Sequence, residues 1–369
     1  MNARVACCGL VFLLVAHLAT FATDSVSVIQ DHVVSNPRQP QAAVDEEGAI
    51  YIAFGASETV YVTKSTDGGR TYTKPVRIGS VARLALGMRR GPRVVAGQGT
   101  VVVSAIGHEA GNLLAWHSAD GGSTWSQPVT VNDSAGHARE GLHALAIGPD
   151  GQVYCAWLDI RNHVTEVYGS GSTDGATSWS SNRKIYTSPS GSVCECCHPS
   201  VAYESDGDLH VMWRNSLQGN RDMYTAISQD GGKTFSPGKK IGQSSWTLDA
   251  CPMDGGYLAA FGDGQVMTVW RRENLVFRAS TNGHAEHLLG IGQQPWAAAT
   301  PDGAYLVWLS DRPGELWLSD PRADQPRLLA DDAADPMIAA PISGRGPVVA
   351  VWETREGTSA GIRAAIVSK

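Results

Sequence analysis

Four of the seven cysteines in this 369-residue sequence fall in two short runs. One is Cys194-Glu-Cys196-Cys197-His198-Pro199; the other is Cys251-Pro-Met253-Asp254-Gly-Gly-Tyr257. Side chains alternate along an extended chain, which puts Cys194, Cys196 and His198 on one face and Cys197 on the other. Cys251 and Met253 share a face in the same way. Thiolate, imidazole and thioether together favour copper, which would admit redox chemistry, with zinc as the less demanding alternative. The competing reading is a pair of disulfides that staple the two runs. Residues two apart on a strand are separated by roughly 6.5–7 Å, so a Cys194–Cys196 bridge is awkward and a bridge to Cys251 is open. On sequence alone both readings stand.

Short strands must position these runs. Apolar segments ending in an aromatic recur at Tyr51-Ile-Ala-Phe54, Tyr154-Cys-Ala-Trp157, His210-Val-Met-Trp213, Met267-Thr-Val-Trp270, Tyr305-Leu-Val-Trp308 and Val349-Ala-Val-Trp352. Val102-Val-Ser-Ala105 is a degenerate seventh copy. Each is preceded by another apolar run and a Gly-rich turn. Strand, turn, strand at a period of about 50 residues reads as all-β, a β-propeller of four-stranded antiparallel blades. Seven blades are favoured, with six as the alternative. The last unit offers only three strands, and Ser25–Val34 is the candidate fourth that closes the ring. Cys155 occupies a position that is apolar in most copies, so it is expected in the core.

A turn repeats with the same period. Ser65-Thr-Asp67-Gly-Gly-Arg-Thr71-Tyr72 returns around Asp120, Asp174 and Asp230, at spacings of 53, 54 and 56 residues. A worn copy sits at Asn282-Gly283. Asp accepts hydrogen bonds from turn amides, Gly tolerates positive φ, and the aromatic packs beneath. These residues resemble the Asp boxes, or BNR repeats, of sialidases and related β-propellers. The resemblance spans nearly the whole chain after its first residues. It implies the architecture, with Asp67, Asp120, Asp174 and Asp230 in structural roles away from any active site.

The units also align on the residue that opens each innermost strand: Pro40, Pro92, His143, Pro199, Tyr257, Pro295 and Pro336. Proline suits that position because no ladder donor is lost. The exceptions, His143 and Tyr257, flank the cysteine-bearing unit. Three adjacent blades should therefore bring His143, Cys194, Cys196, His198 and Cys251 to one mouth of the central channel, with Met253 as a weak ligand.

Arg161, Arg214, Arg271, Arg312 and Arg355 follow the second strands. The sialidase resemblance implies a three-arginine carboxylate clamp, for which Arg161, Arg214 and Arg271 are the candidates. Asp159 and Asp254 are then candidate general acids and Tyr257 the candidate nucleophile. Arg312 and Arg355 read as solvated turn residues. The family's Arg-Ile-Pro string is absent; the nearest strings are Asn36-Pro-Arg38-Gln-Pro40 and Gly91-Pro-Arg93, and no tyrosine–glutamate pair is evident. The Cys-x-Cys-Cys run places the chain nearer to exported BNR-repeat proteins than to working sialidases. Three functions follow as expectations: a propeller binding a soft metal or small anion, a sialidase-like hydrolase acting on acidic glycans, and a protein-interaction propeller.

Composition narrows the partners. Charged residues are 18% and hydrophobic ones 43%, too apolar for a disordered chain, and the net charge of −7 leaves no basic footprint for nucleic acid. Met1–Arg4 followed by the apolar Val5–Phe21 reads as a signal peptide cut after Ala22. Residues 23–369 then form a single propeller domain in a secreted or periplasmic protein with no stable membrane anchor. Cys7 and Cys8 leave with the peptide, and five cysteines remain.

Overall fold

The computed structural model describes residues 25–261, 263–281, 285–341, 343–356 and 359–368. The proposed signal peptide and the worn turn at Asn282-Gly283 lie outside them. Among the described residues there is strand and turn but no helix.

Five four-stranded antiparallel sheets follow one another along the chain. Their first strands are Arg38–Val44, Arg93–Gly97, His143–Ile147, Ser200–Tyr203 and Tyr257–Ala260. A sixth sheet has seven strands, beginning with Gln293–Thr300. Its long strand Arg327–Ala339 changes partner midway: residues 327–333 pair with Gly314–Ser319, and residues 334–339 pair with Val348–Glu356. The strand Val26–Gln30 completes that sheet by pairing with Ser359–Ser368. The first strands contact one another in cyclic order, and the end of Arg327–Ala339 packs between Gln293–Thr300 and Arg38–Val44. The result is a ring around an axis.

The aromatic-ended runs are the second strands, and they are deeply buried. Every residue of Ile50–Ala56, Val153–Asp159 and Leu209–Arg214 is buried. Trp157, Trp213 and Trp352 are among the largest fully buried side chains. Apolar clusters form between neighbouring sheets, as where Val60 and Ala53 of one sheet meet Val103 and Trp116 of the next. Alternate residues of a strand serve opposite faces, so each sheet supplies half of two cores. Cys155 is fully buried opposite Leu145, as its position in the repeat implies.

Three of the innermost ladders begin with a bulge. Gln39, Gln294 and Asp335, each immediately before a proline, have φ of 55°, 54° and 46°. The ladder register shifts across each of these points. A left-handed non-glycine residue bends the strand and re-aims its side chain.

Candidate functional site

Antiparallel pairing sends the two sets of turns to opposite ends of the ring. Asp boxes follow third strands; the arginine and cysteine loops follow second strands or precede first ones. In each box the Asp accepts from a Ser and a Thr or Ser hydroxyl and from a turn amide. At Asp67 these are Ser65 at 2.8 Å, Thr71 Oγ1 at 2.6 Å and Thr71 N at 3.0 Å. The same bonds recur at Asp120, Asp174 and Asp230. They fasten turns.

The cysteine run is a turn and not an extended segment. Cys194 N donates to Arg214 O at 3.0 Å, and Cys197 N closes back to Cys194 O at 3.4 Å. The turn carries Cys197 round to the side of the other two, which corrects the expectation that it faces away. The sulfur separations are 3.0 Å for Cys194–Cys197, 3.7 Å for Cys194–Cys196 and 3.9 Å for Cys196–Cys197. All three side chains are buried, with Met253 packed against them. Cys251 is exposed and lies close enough to Cys196 to help raise its thiol. The five described cysteines are free thiols. The Cys194 thiol is pushed up to about 12 by its hydrogen bond to Cys196 and by burial; burial likewise raises Cys197.

The two histidines do not join the sulfurs. Among the described residues, the group of metal-ligating atoms within 4.8 Å of one another is Cys194, Cys196 and Cys197. His143 Nε2 lies 2.9 Å from Ser104 Oγ, and the His143 carbonyl accepts from Arg93 Nε at 3.2 Å. His198 stacks on Trp296, with ring centroids 5.8 Å apart. Burial holds both imidazoles well below their usual range, and for His198 the charges of Arg89, Arg93, Arg214 and Arg312 add to it. The turn explains the split: once Cys197 swings toward Cys194, the next residue is already directed to the channel.

The three candidate clamp arginines spend their donors on separate partners. Arg161 forks onto Asp159 with two bonds of 2.9 Å, reaches Asp133 and Asn182, and stacks over Tyr168. Asp159, which also accepts from Trp157 Nε1, is thereby an anchor and not a free acid. Arg214 is buried and donates to the carbonyls of Asp254, Arg221 and Arg271 at 2.9, 2.7 and 2.8 Å. Arg271 donates to the Glu273 carbonyl and, at 3.3 Å, to Gln293 Oε1. Both flank Trp246.

Asp254 is fully buried. Its Oδ2 accepts from Gln294 N at 2.7 Å and lies 3.7 Å from Arg312, while Oδ1 has no hydrogen-bond partner among the described residues. Arg312 is thus part of this face, bonded to Met253 O at 2.8 Å, and not the solvated turn residue expected. Arg355 is half exposed, as expected. Tyr257 lies against Trp296 with centroids 4.1 Å apart, and burial raises its phenol.

Arg89 escaped the sequence reading, and Arg93 entered it only as part of a motif that fails to match. Arg89 and Arg93 are buried, and burial pushes both guanidiniums down to about 10. Their signal was the basic run inside Gly87-Met-Arg89-Arg90-Gly91-Pro-Arg93. Arg89 has φ of 65° and donates to the carbonyls of Pro336 and Gln294. Below them an axial cavity of about 430 Å³ runs between the first strands, with His198, Tyr257 and Trp296 in its wall.

The family model for the BNR repeat-like domain matches residues 92–287, more than half of the chain. No curated protein matches the sequence. Among solved structures, virginiamycin B lyase from Staphylococcus aureus is 12% identical, with 93% of this chain and 99% of that one covered at a TM-score of 0.54. An α-L-arabinofuranosidase from Fusarium graminearum is 14% identical, covering 94% and 98% at 0.51. A Hadza microbial sialidase is 13% identical, covering 93% and 68% at 0.47. At such identities likeness speaks to the fold alone. Together with four boxes of one geometry, the match over residues 92–287 establishes that this chain belongs to the BNR repeat-like domain family.

Proposed function

We propose that this is an exported, seven-bladed BNR propeller whose loop face holds a soft, thiophilic metal at Cys194, Cys196 and Cys197, with Cys251 closing the shell. The count of seven is supported by the partner change within Arg327–Ala339, which divides the seven-stranded sheet into a four-stranded blade and a last one closed by Val26–Gln30. The observation that carries the metal reading is the set of sulfur separations, 3.0, 3.7 and 3.9 Å. A metal bonded to sulfur at ~2.3 Å in a tetrahedral shell sets neighbouring sulfurs ~3.8 Å apart, so two of the three edges already have that length. The exposed thiol of Cys251 stands beside Cys196, and Met253 covers the group. With both histidines elsewhere the donors are sulfur, which suits copper(I) first and zinc second. Deprotonating three buried thiols is costly without a cation, and a bound metal supplies that cation.

The hydrolase reading has less support. Arg161 is neutralised by Asp159, and Tyr257 lies against Trp296 with no glutamate bonded to it among the described residues. Metal analysis with thiol counting on protein taken from its export compartment tests the proposal. One equivalent of copper or zinc, lost in Cys196→Ser, supports it. Metal-free protein with oxidised cysteines overturns it.

A further inference from the structure

The axial cavity has a wall that differs from end to end. Val44, Val95, Leu145, Ala259, Ala298 and Ile338 give it an apolar bore. At one end, where the first strands begin, stand Arg93, His198 and Trp296; at the other, where they finish, stand Glu46 and Glu204. A cavity of about 430 Å³ is within the usual range for a small-molecule site.

Two groups at the basic end are left incomplete by the protein. His198 is 2% exposed, and neither ring nitrogen has a hydrogen-bond partner among the described residues. Such a group is rare in a native interior and asks for a partner. Arg93 is 5% exposed, and its bonds go to the carbonyls of His143, Gly91, Pro92 and Arg89. Carbonyls satisfy four of its five N–H donors but not its charge. Among the described residues no carboxylate lies within ion-pair distance of Arg93. An anion at this end would answer both deficits, accepting from the remaining Arg93 N–H and from the imidazole.

We propose that the axial cavity binds a small molecule carrying one carboxylate on an apolar body, with the carboxylate at Arg93 and His198 and the body along the bore. A second anionic group would lie toward Glu46 and Glu204 and be repelled, so the site selects monocarboxylates. It is separate from the thiol centre and needs no metal.

The test is calorimetric titration of the full folded protein, with chelator present, using straight-chain monocarboxylates of six to twelve carbons. The matching alcohols and α,ω-dicarboxylates are titrated alongside. Affinity should rise with chain length until the bore is filled, and each monocarboxylate should bind at least tenfold more tightly than its alcohol or dicarboxylate. His198→Gln, which keeps a donor, should retain binding within a few fold, and His198→Phe should lose it tenfold or more. Equal binding of acid and alcohol, or no binding by any member at millimolar concentration, overturns the proposal. The wild-type series decides this even where a variant fails to fold.

Discussion

Cys194 and Cys197 face each other across a single turn with their sulfurs 3.0 Å apart, closer than either stands to Cys196. A disulfide needs about 2.05 Å, so this pair has the shortest distance to travel. In metal-free protein exposed to air, the first bridge should join Cys194 to Cys197 and leave Cys196 and Cys251 for slower chemistry. Peptide mapping under non-reducing conditions checks this; a dominant Cys196–Cys251 bridge would contradict it.

Arg214 fills a different need. Its guanidinium gathers the carbonyls of Asp254, Arg221 and Arg271 beneath Trp246. Arg214→Ala strands those acceptors, and denaturant unfolding should show a loss of about 2–4 kcal/mol. Arg214→Lys should recover only part, since a point charge cannot serve three directions at once.

Glu353 gives a pH signature. Burial, reinforced by Asp335, raises its carboxyl from 4.5 to about 7 despite the Arg38 guanidinium and the Gln39 amide. A folded-state value above the unfolded one means stability is fully present below about pH 4.5 and is lost as pH rises through 7. Relative to Glu353→Gln, wild-type stability should fall by on the order of 3 kcal/mol across that window. Parallel curves for the two proteins would refute the assignment.

Trp213 anchors the cysteine-bearing sheet, fully buried and set against Tyr186 at 4.6 Å. Trp213→Ala should cost about 3–5 kcal/mol in chemical denaturation. A loss below about 1 kcal/mol would mean that the sheet does not depend on this packing.

Fluorogenic sialosides supply a further outcome for the loop face. With Arg161 held by Asp159, turnover should not exceed the enzyme-free control, and Arg214→Ala should leave that rate unchanged. Robust wild-type turnover that the substitution abolishes would favour the hydrolase reading.

What could be read from the sequence was whatever the ladder enforces. The Asp boxes, the aromatic ends of the second strands and the closing strand at Val26–Gln30 each obey a strict geometric demand, so spacing betrays them. The cysteine run obeys none. It lies before the first residue of Ser200–Tyr203, and outside a ladder nothing imposes alternation, so one turn undid the two-face assignment. Arg312 and Arg89 were missed for a related reason. Their partners are Met253 in another unit and carbonyls at the bulged ladder starts, which no local pattern announces.

The strand Val26–Gln30 has a consequence in time. Arg363 bonds Ser25 across 338 residues, so Val26–Gln30 is synthesised long before Ser359–Ser368 and waits for it before it can pair. Such a pairing pays its loop-closure entropy late and slows folding. Until then the Ser359–Ser368 side of the final sheet is an unguarded edge, a template for any passing strand. Folding is therefore a race between clasping its own beginning and recruiting a neighbour, and slow delivery of the final segment, or truncation of residues 25–30, should tilt it toward aggregation.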